Sequence, residues 1–251
     1  MATSRTKRFR SSSPLEQNQT VPYPESEVHT MKRSAIVTVE SFARATGIHI
    51  TTKHTGKMED MQSLSTSCLC NPACAARMKD PSSICSHCFA AAMHKRYSAL
   101  ADCMENNSRI LSGRLFEVSE LPMINAAFFR FESFGDLINV THARNYLRIC
   151  KRNPWTRFAL WTKNPAFLAA AIREEGKPDN LNVILSSPYI NTTCDASRWP
   201  FVDKTFTVYD KPGQAALEAS GGCINCGSRK CLDCLLCYTK NDVTAINESL
   251  K

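Results

Sequence analysis

The chain has 251 residues, 43% hydrophobic and 8% aromatic, a balance that excludes a disordered or fibrous protein and allows one sizeable core. The longest apolar stretches, around 158–161 and 183–185, fall far short of the roughly 20 residues that cross a bilayer, so no membrane contact is expected. The formal net charge is +8, and Arg5, Lys7, Arg8 and Arg10 concentrate part of it at an N-terminus without the apolar core of a secretory signal. A cytoplasmic chain is therefore expected.

Residues 1–33 are rich in Ser, Gln and Asn, carry Pro14, Pro22 and Pro24, and show little apolar periodicity, which reads as a flexible basic leader. Such an arm attracts phosphates without reading sequence, so a nucleic-acid contact through the leader is one expectation and a solubilising tail is the other. The folded part begins near Ser34. The β-branched run 35–39 reads as a strand, followed by a short helix over 41–45 that Gly47 ends. From 89 to about 111 the alanine-rich sequence lacks Gly and Pro and predicts one long helix. Phe128-Phe129-Arg130-Phe131 reads as a buried strand, with Arg130 and Glu132 on one face and Phe129 and Phe131 on the other. A helix over 140–151 follows, then a strand at 157–161, a helix starting at Asn164-Pro165, and strands at 182–185 and 205–209.

Strands alternating with helices of ten or more residues are the mark of parallel βαβ units. Five strands are too few for a full eight-stranded barrel, so the expected α/β fold is a partial (β/α) barrel or an open parallel sheet with cysteine-rich metal-binding loops. The α/β domain is placed at 34–215 and a C-terminal cysteine-rich segment at 216–251. Functional loops, including 133–136 and 162–164, should gather at the carboxyl ends of the strands.

Thirteen cysteines, most in tight local groups, suggest metal rather than long-range disulfides in a reducing compartment. The first group is Cys68, Cys70 and Cys74, then ten residues to Cys85 and Cys88. A C-x2-C pair folds around one ion, so Cys85 and Cys88 are the strongest ligand pair, and the helix that follows favours their thiolate form. Cys74 is the best further ligand, while Cys68 and Cys70 are ligands or ordinary buried thiols. The second group, Cys223-x2-Cys226-x4-Cys231-x2-Cys234-x2-Cys237, suits a tetrahedral zinc by its paired C-x2-C spacing and an iron–sulfur cluster by its C-x2-C-x2-C run. His87 and His94 read as surface residues. Cys103, Cys150 and Cys194 are isolated, for which burial is the default. Asp136 follows Gly135 at the end of a strand, where its carboxylate faces a ligand or caps the next helix.

The succession of Cys85-Ser-His-Cys88-Phe-Ala, Asn106-Asn107, Phe129-Arg-Phe-Glu-Ser-Phe-Gly-Asp136-Leu and Phe158-Ala-Leu-Trp-Thr-Lys163 resembles the phage-encoded gene-product-88 type of protein over about residues 50 to 240. The layout of that family is similar to radical SAM proteins. This resemblance implies a [4Fe-4S] cluster on Cys74, Cys85 and Cys88 with Phe89 nearby, S-adenosylmethionine gripped near Gly135 and Asp136, an auxiliary cluster on the C-terminal cysteines, and a host-cytoplasmic location. The compact C-x3-C-x2-C loop of radical SAM proteins is absent. No phosphate-binding glycine loop, Ser-His-Asp arrangement or zinc-hydrolase helix is present. Two functions are thus expected: an iron–sulfur, radical-SAM-like enzyme of unknown substrate, or a non-catalytic zinc protein that contacts nucleic acid.

Overall fold

The computed structural model describes residues 36–250; the basic leader at 1–33 and residue 35 of the expected first strand lie outside the described residues. Six strands form one sheet in the order β1-β2-β3-β4-β5-β6, with every pairing parallel. They are β1 (Gln62–Leu64), β2 (Phe128–Phe131), β3 (Arg157–Thr162), β4 (Leu181–Ser186), β5 (Lys204–Tyr209) and β6 (Ala245–Ser249). Strand order follows chain order, and β1 and β6 remain edges, so the sheet is open and not closed into a barrel. Parallel crossovers share one hand, so sequential order sends the helices that follow β2 and β3 to the same face.

Alternation along the strands divides the packing. Phe129, Phe131, Phe158, Leu160, Leu181 and Val183 point into the main core, where they meet Tyr146, Leu147 and Ile149 of α5 (Val140–Arg152) and Leu168 and Ala171 of α6 (Pro165–Glu175). Phe131 stacks between Tyr146, at 4.1 Å between ring centroids, and Phe158, at 5.1 Å. On the opposite face Phe128, Ala159, Trp161, Ile184 and Phe206 pack on Met61, Leu235 and Tyr238. The C-terminal cysteine-rich segment therefore supplies part of the cover for that face, and its last residues form β6.

Several expectations change. Residues 36–38 form no strand: Thr38 makes one isolated bridge to Met123, and its Oγ1 accepts from Ser41 N–H at 3.1 Å, capping α1 (Val39–Thr46). Capping chemistry outcompetes the β-branched run there. Gly47 does end α1, in the left-handed conformation with φ of 78°. The long helix is two, α3 (Phe89–Arg96) and α4 (Ser98–Gly113), because Tyr97 adopts an extended backbone. The break lets α4 turn its polar residues inward. Asn107 donates to the carbonyls of His49 and Ser65 and accepts from His49 N–H at 2.8 Å, and Ser108 accepts from Ser67 N–H at 2.8 Å. Strands β1 and β6 carry no strand signal of their own, because one is three residues long with a polar start and the other, Ala-Ile-Asn-Glu-Ser, lacks a β-branched run.

Glu132 also departs from strand alternation. Its φ of 56° rotates it away from the Arg130 face and onto the helix side. The buried carboxylate accepts from Thr66 N–H at 3.1 Å, Thr66 Oγ1 at 3.0 Å and Tyr146 Oη at 2.6 Å, and lies 3.3 Å from His142 Nε2. Ile138 N–H donates to His142 Nδ1 at 3.2 Å, so the imidazole proton belongs on Nε2, facing Glu132. Burial and the adjacent carboxylate together hold the Tyr146 hydroxyl well above its ordinary range, so it stays a donor. Gly135 allows the approach of these segments: a Cβ there would lie 2.5 Å from the Thr66 carbonyl and 2.6 Å from Glu132 Oε2. Glu132→Ala strands buried donors on Thr66 and Tyr146, and we expect a loss of about 3–5 kcal/mol in urea unfolding. A loss below about 1 kcal/mol would show that this carboxylate does not tie the strands.

Candidate metal centres

The first cysteine group is built at the carboxyl ends of β1 to β4. After Leu64 the chain is held by the Thr66–Glu132 and Ser67–Ser108 hydrogen bonds, which place Cys68 in a buried position. Asn71 then caps α2 (Pro72–Met78) through Ala73 N–H at 3.0 Å, and its Nδ2 donates to the carbonyls of Asp136 and Leu137. Cys74 lies in the first turn of α2. Cys85 sits on a 3-10 turn over Ile84–His87, fastened to the end of β4 by Ile84 N–H donating to the Pro188 carbonyl at 2.8 Å. Cys88 is the residue that opens α3.

These elements bring Cys68, Cys74 and Cys88 into one cluster with Ala90, Met78 and Phe134, and Cys85 stands close enough to raise the Cys74 thiol electrostatically. Cys70 is exposed and turns to Ser67, outside this gathering. The four thiols differ chemically. A hydrogen bond from Cys68 pulls Cys88 down to about 6, with help from the Ala91 and Ala90 N–H groups and the Lys163 charge. The same bond, and then burial, drives Cys68 far above its ordinary value, so Cys68 is the donor of the pair. Burial pushes Cys74 up to about 12, with the Asp136 carboxylate adding to the effect.

Asp136 is fully enclosed. Its carboxylate accepts from Thr162 Oγ1 at 2.6 Å, Lys163 N–H at 2.9 Å and Leu137 N–H at 2.8 Å, and Arg77 Nη1 lies 3.7 Å away. It does not cap α5, whose cap is Asn139. Phe89 is 66% exposed and stacks on Phe134 at 6.2 Å. His94, expected at the surface, is only 3% exposed, packs on Phe134 and places Nδ1 3.3 Å from Ser67 Oγ. A histidine three-quarters of the way along a helix carries no periodic signal of burial in so short an element. His87 stays on the 3-10 turn, partly exposed. Of the isolated cysteines, Cys150 is buried, whereas Cys103 and Cys194 are half-buried.

The second group gathers Cys226, Cys231, Cys234 and Cys237, whose charges act on one another. Cys231 and Cys234 lie on the single helical turn Cys231–Cys234, and Leu235 in a left-handed conformation reverses the chain toward Cys237. The four border a cavity of about 300 Å³ that also includes Lys57, Arg229 and Tyr238. Lys57 Nζ is 3.4 Å from Cys226 Sγ and 2.7 Å from Glu248 Oε1, and Arg229 Nη2 is 3.7 Å from Cys234 Sγ. Burial pushes Cys237 up to about 12. Cys223 is exposed and stands apart, using its carbonyl to accept from Asn247 Nδ2.

All thirteen cysteines are free thiols. Among the described residues, no three His, Cys, Asp or Glu side chains already stand in the geometry of ligands to one ion. The thiols are gathered without being closed around a point. Ligation would require them to lose protons and turn inward, and the raised Cys74 and Cys237 thiols make any such uptake proton-coupled. Sulfur-only donor sets of this kind fit zinc or an iron–sulfur cluster better than hard, oxygen-seeking cations.

The fold and these two gatherings define an open, parallel α/β protein with thiol groups at the carboxyl ends of the strands and on the covered sheet face. The model of one protein family, gene product 88, matches residues 38–240, and the chain belongs to that family. The match is consistent with a phage-encoded protein. No curated protein and no solved structure matches the chain. Among the described residues no helix is long and apolar enough to cross a membrane.

The thiol chemistry has a direct consequence for metal-free protein. As pH falls from about 8.5 to about 6.5, alkylation of exposed Cys70, whose thiol is raised, should fade by roughly the tenfold per unit that loss of thiolate dictates. Cys88 remains largely thiolate above its lowered value, so its labelling should fall much less. Brief iodoacetamide exposure with peptide mass spectrometry reads both sites, and parallel decay of the two contradicts the Cys68-to-Cys88 hydrogen bond.

Proposed function

We propose that this protein binds an iron–sulfur cluster, of the [4Fe-4S] type, at the carboxyl ends of its strands, with Cys74, Cys85 and Cys88 as ligands. The observation that carries the reading is the convergence of Cys74 on α2 with Cys85 and Cys88 on the turn that leads into α3, at the end of the sheet where α/β proteins assemble functional sites. Cys68 is the least suited of the four to ligation, because its proton is held in the hydrogen bond to Cys88. Three ligands leave one iron without a protein donor, and S-adenosylmethionine is the cofactor that a radical-SAM-like enzyme would place there. The chain's own contribution is to orient the thiolates, enclose Asp136 and exclude water around Phe134.

The second group, Cys226, Cys231, Cys234 and Cys237, takes a separate metal on this reading, and its function is structural. Tyr238, directly after Cys237, is 3% exposed and places its hydroxyl 2.8 Å from Met61 Sδ, and Asn182 of β4 donates to the Cys237 carbonyl. A metal here would fasten the segment that covers the sheet face. A zinc-only protein that contacts nucleic acid through its basic leader is the second reading, supported by the net charge of +8.

The test is metal and acid-labile sulfide analysis of protein purified without oxygen, with a visible spectrum. Iron and sulfide near four of each per chain, or more, agree with the first reading, and zinc alone moves the assignment to the second. Cys85→Ala and Cys88→Ala should each remove the iron of the first site, whereas Cys68→Ser should retain it. Full iron content in both alanine variants sinks the ligand assignment. Cys231→Ser with Cys234→Ser should spare that iron and lower the thermal midpoint by several degrees, since metal binding energy is partly folding energy.

A further inference from the structure

Cys74 and Arg77 are three residues apart on α2, which places their side chains on the same helix face. The guanidinium reaches across to the end of β3, where Nη2 donates to the Lys163 carbonyl at 3.1 Å and meets Asn164 Oδ1. Its buried Nη1 makes no hydrogen bond and stands 3.7 Å from Asp136 Oδ2, an ion-pair distance beyond hydrogen-bond reach. Lys163 is similarly unspent. Its backbone is engaged on both sides, yet its half-buried ammonium has no hydrogen bond or ion pair among the described residues. That ammonium nonetheless acts on Cys74, Cys88, Cys194 and Asp136, so it is within electrostatic reach of the first thiol group.

The two half-buried cations share one carboxylate, Asp136, so one positive charge beside the thiols has no counter-charge there, which is costly unless further negative charge is gathered next to it. We infer that Lys163, seconded by Arg77, is the charge partner of whatever anionic centre the first thiol group holds, and that it raises the reduction potential of that centre. The inference rests on the iron–sulfur reading above. A cationic group beside a cluster favours the more negative, reduced state, so removing it lowers the potential. Lys163 is a positioning charge and not a ligand. Because its backbone, not its side chain, joins Asp136 and Arg77, substitution should leave the fold in place.

The experiment is a dye-mediated potentiometric titration with dithionite on the full chain, anaerobically reconstituted, comparing wild type, Lys163→Gln, Lys163→Arg and Lys53→Gln. Lys53 is exposed and precedes β1, so it controls for net charge. The expected result is iron and sulfide content equal to wild type in all variants, a midpoint potential shifted downward in Lys163→Gln alone, and a value near wild type in Lys163→Arg. Equal potentials in wild type and Lys163→Gln overturn the inference while leaving the cluster assignment standing, as does an equal shift in Lys53→Gln. Loss of iron from Lys163→Gln and Lys163→Arg alike also overturns it, since the residue would then be needed for assembly by shape rather than charge. Wild-type protein that takes up no iron or sulfide overturns the iron–sulfur reading itself, and the inference with it.

Discussion

One buried carboxylate, Glu132, sits where the first two strands end, and the geometry of the cysteine-bearing loops hangs from it. A carboxyl removed from water is expensive unless donors replace its hydration, and here Thr66 and Tyr146 supply them, with the His142 imidazole alongside. Thr66 is two residues before Cys68, and Tyr146 and His142 belong to α5, so a single side chain joins the cysteine loop, the end of β2 and the helical layer. The left-handed backbone at Glu132 and the absence of a side chain at Gly135 are the conditions for that junction. The price is local strain at Glu132, tolerated because packing over-determines the position.

The two thiol groups occupy different settings. The first lies at the open end of the sheet, beside exposed Phe89 and half-buried Lys163, with one thiol favoured as thiolate and its neighbour held protonated. The second is pressed against the sheet face with Tyr238 and is flanked by Lys57 and Arg229. Accessibility and polarised thiols suit reactivity, whereas close packing against a core suits a fastening. This contrast is the physical basis for proposing a reactive cofactor at the first group and a structural metal at the second.

Much of the architecture was legible from pattern. The strands at 128–131, 157–161, 182–185 and 205–209 and the helices after Asn139 and Asn164 declare themselves because apolar runs of the right length are bounded by caps and prolines. Strand β1 was hidden: Gln62-Ser63-Leu64 acquires its conformation from pairing with β2, not from its own composition. Asn107 was visible only as part of a motif, although its side chain binds the backbone on both sides of β1. The burial of His94 was equally invisible, because it depends on Phe134 arriving from forty residues away.

Composition and local spacing by themselves determined that this is an α/β protein of the parallel kind and that its cysteines fall into two groups, since periodicity and short-range spacing are properties of neighbouring residues. Which thiols of each group meet was decided by tertiary structure. Cys68 joins Cys88 while Cys70, two residues on, faces solvent, and Cys226 joins Cys231, Cys234 and Cys237 while Cys223 does not. The same holds for Lys163 and Arg77, which are 86 residues apart and are brought to one site by the order of parallel strands. Selection among equivalent residues requires knowing where each loop is anchored, and those anchors are long-range hydrogen bonds that no local pattern encodes.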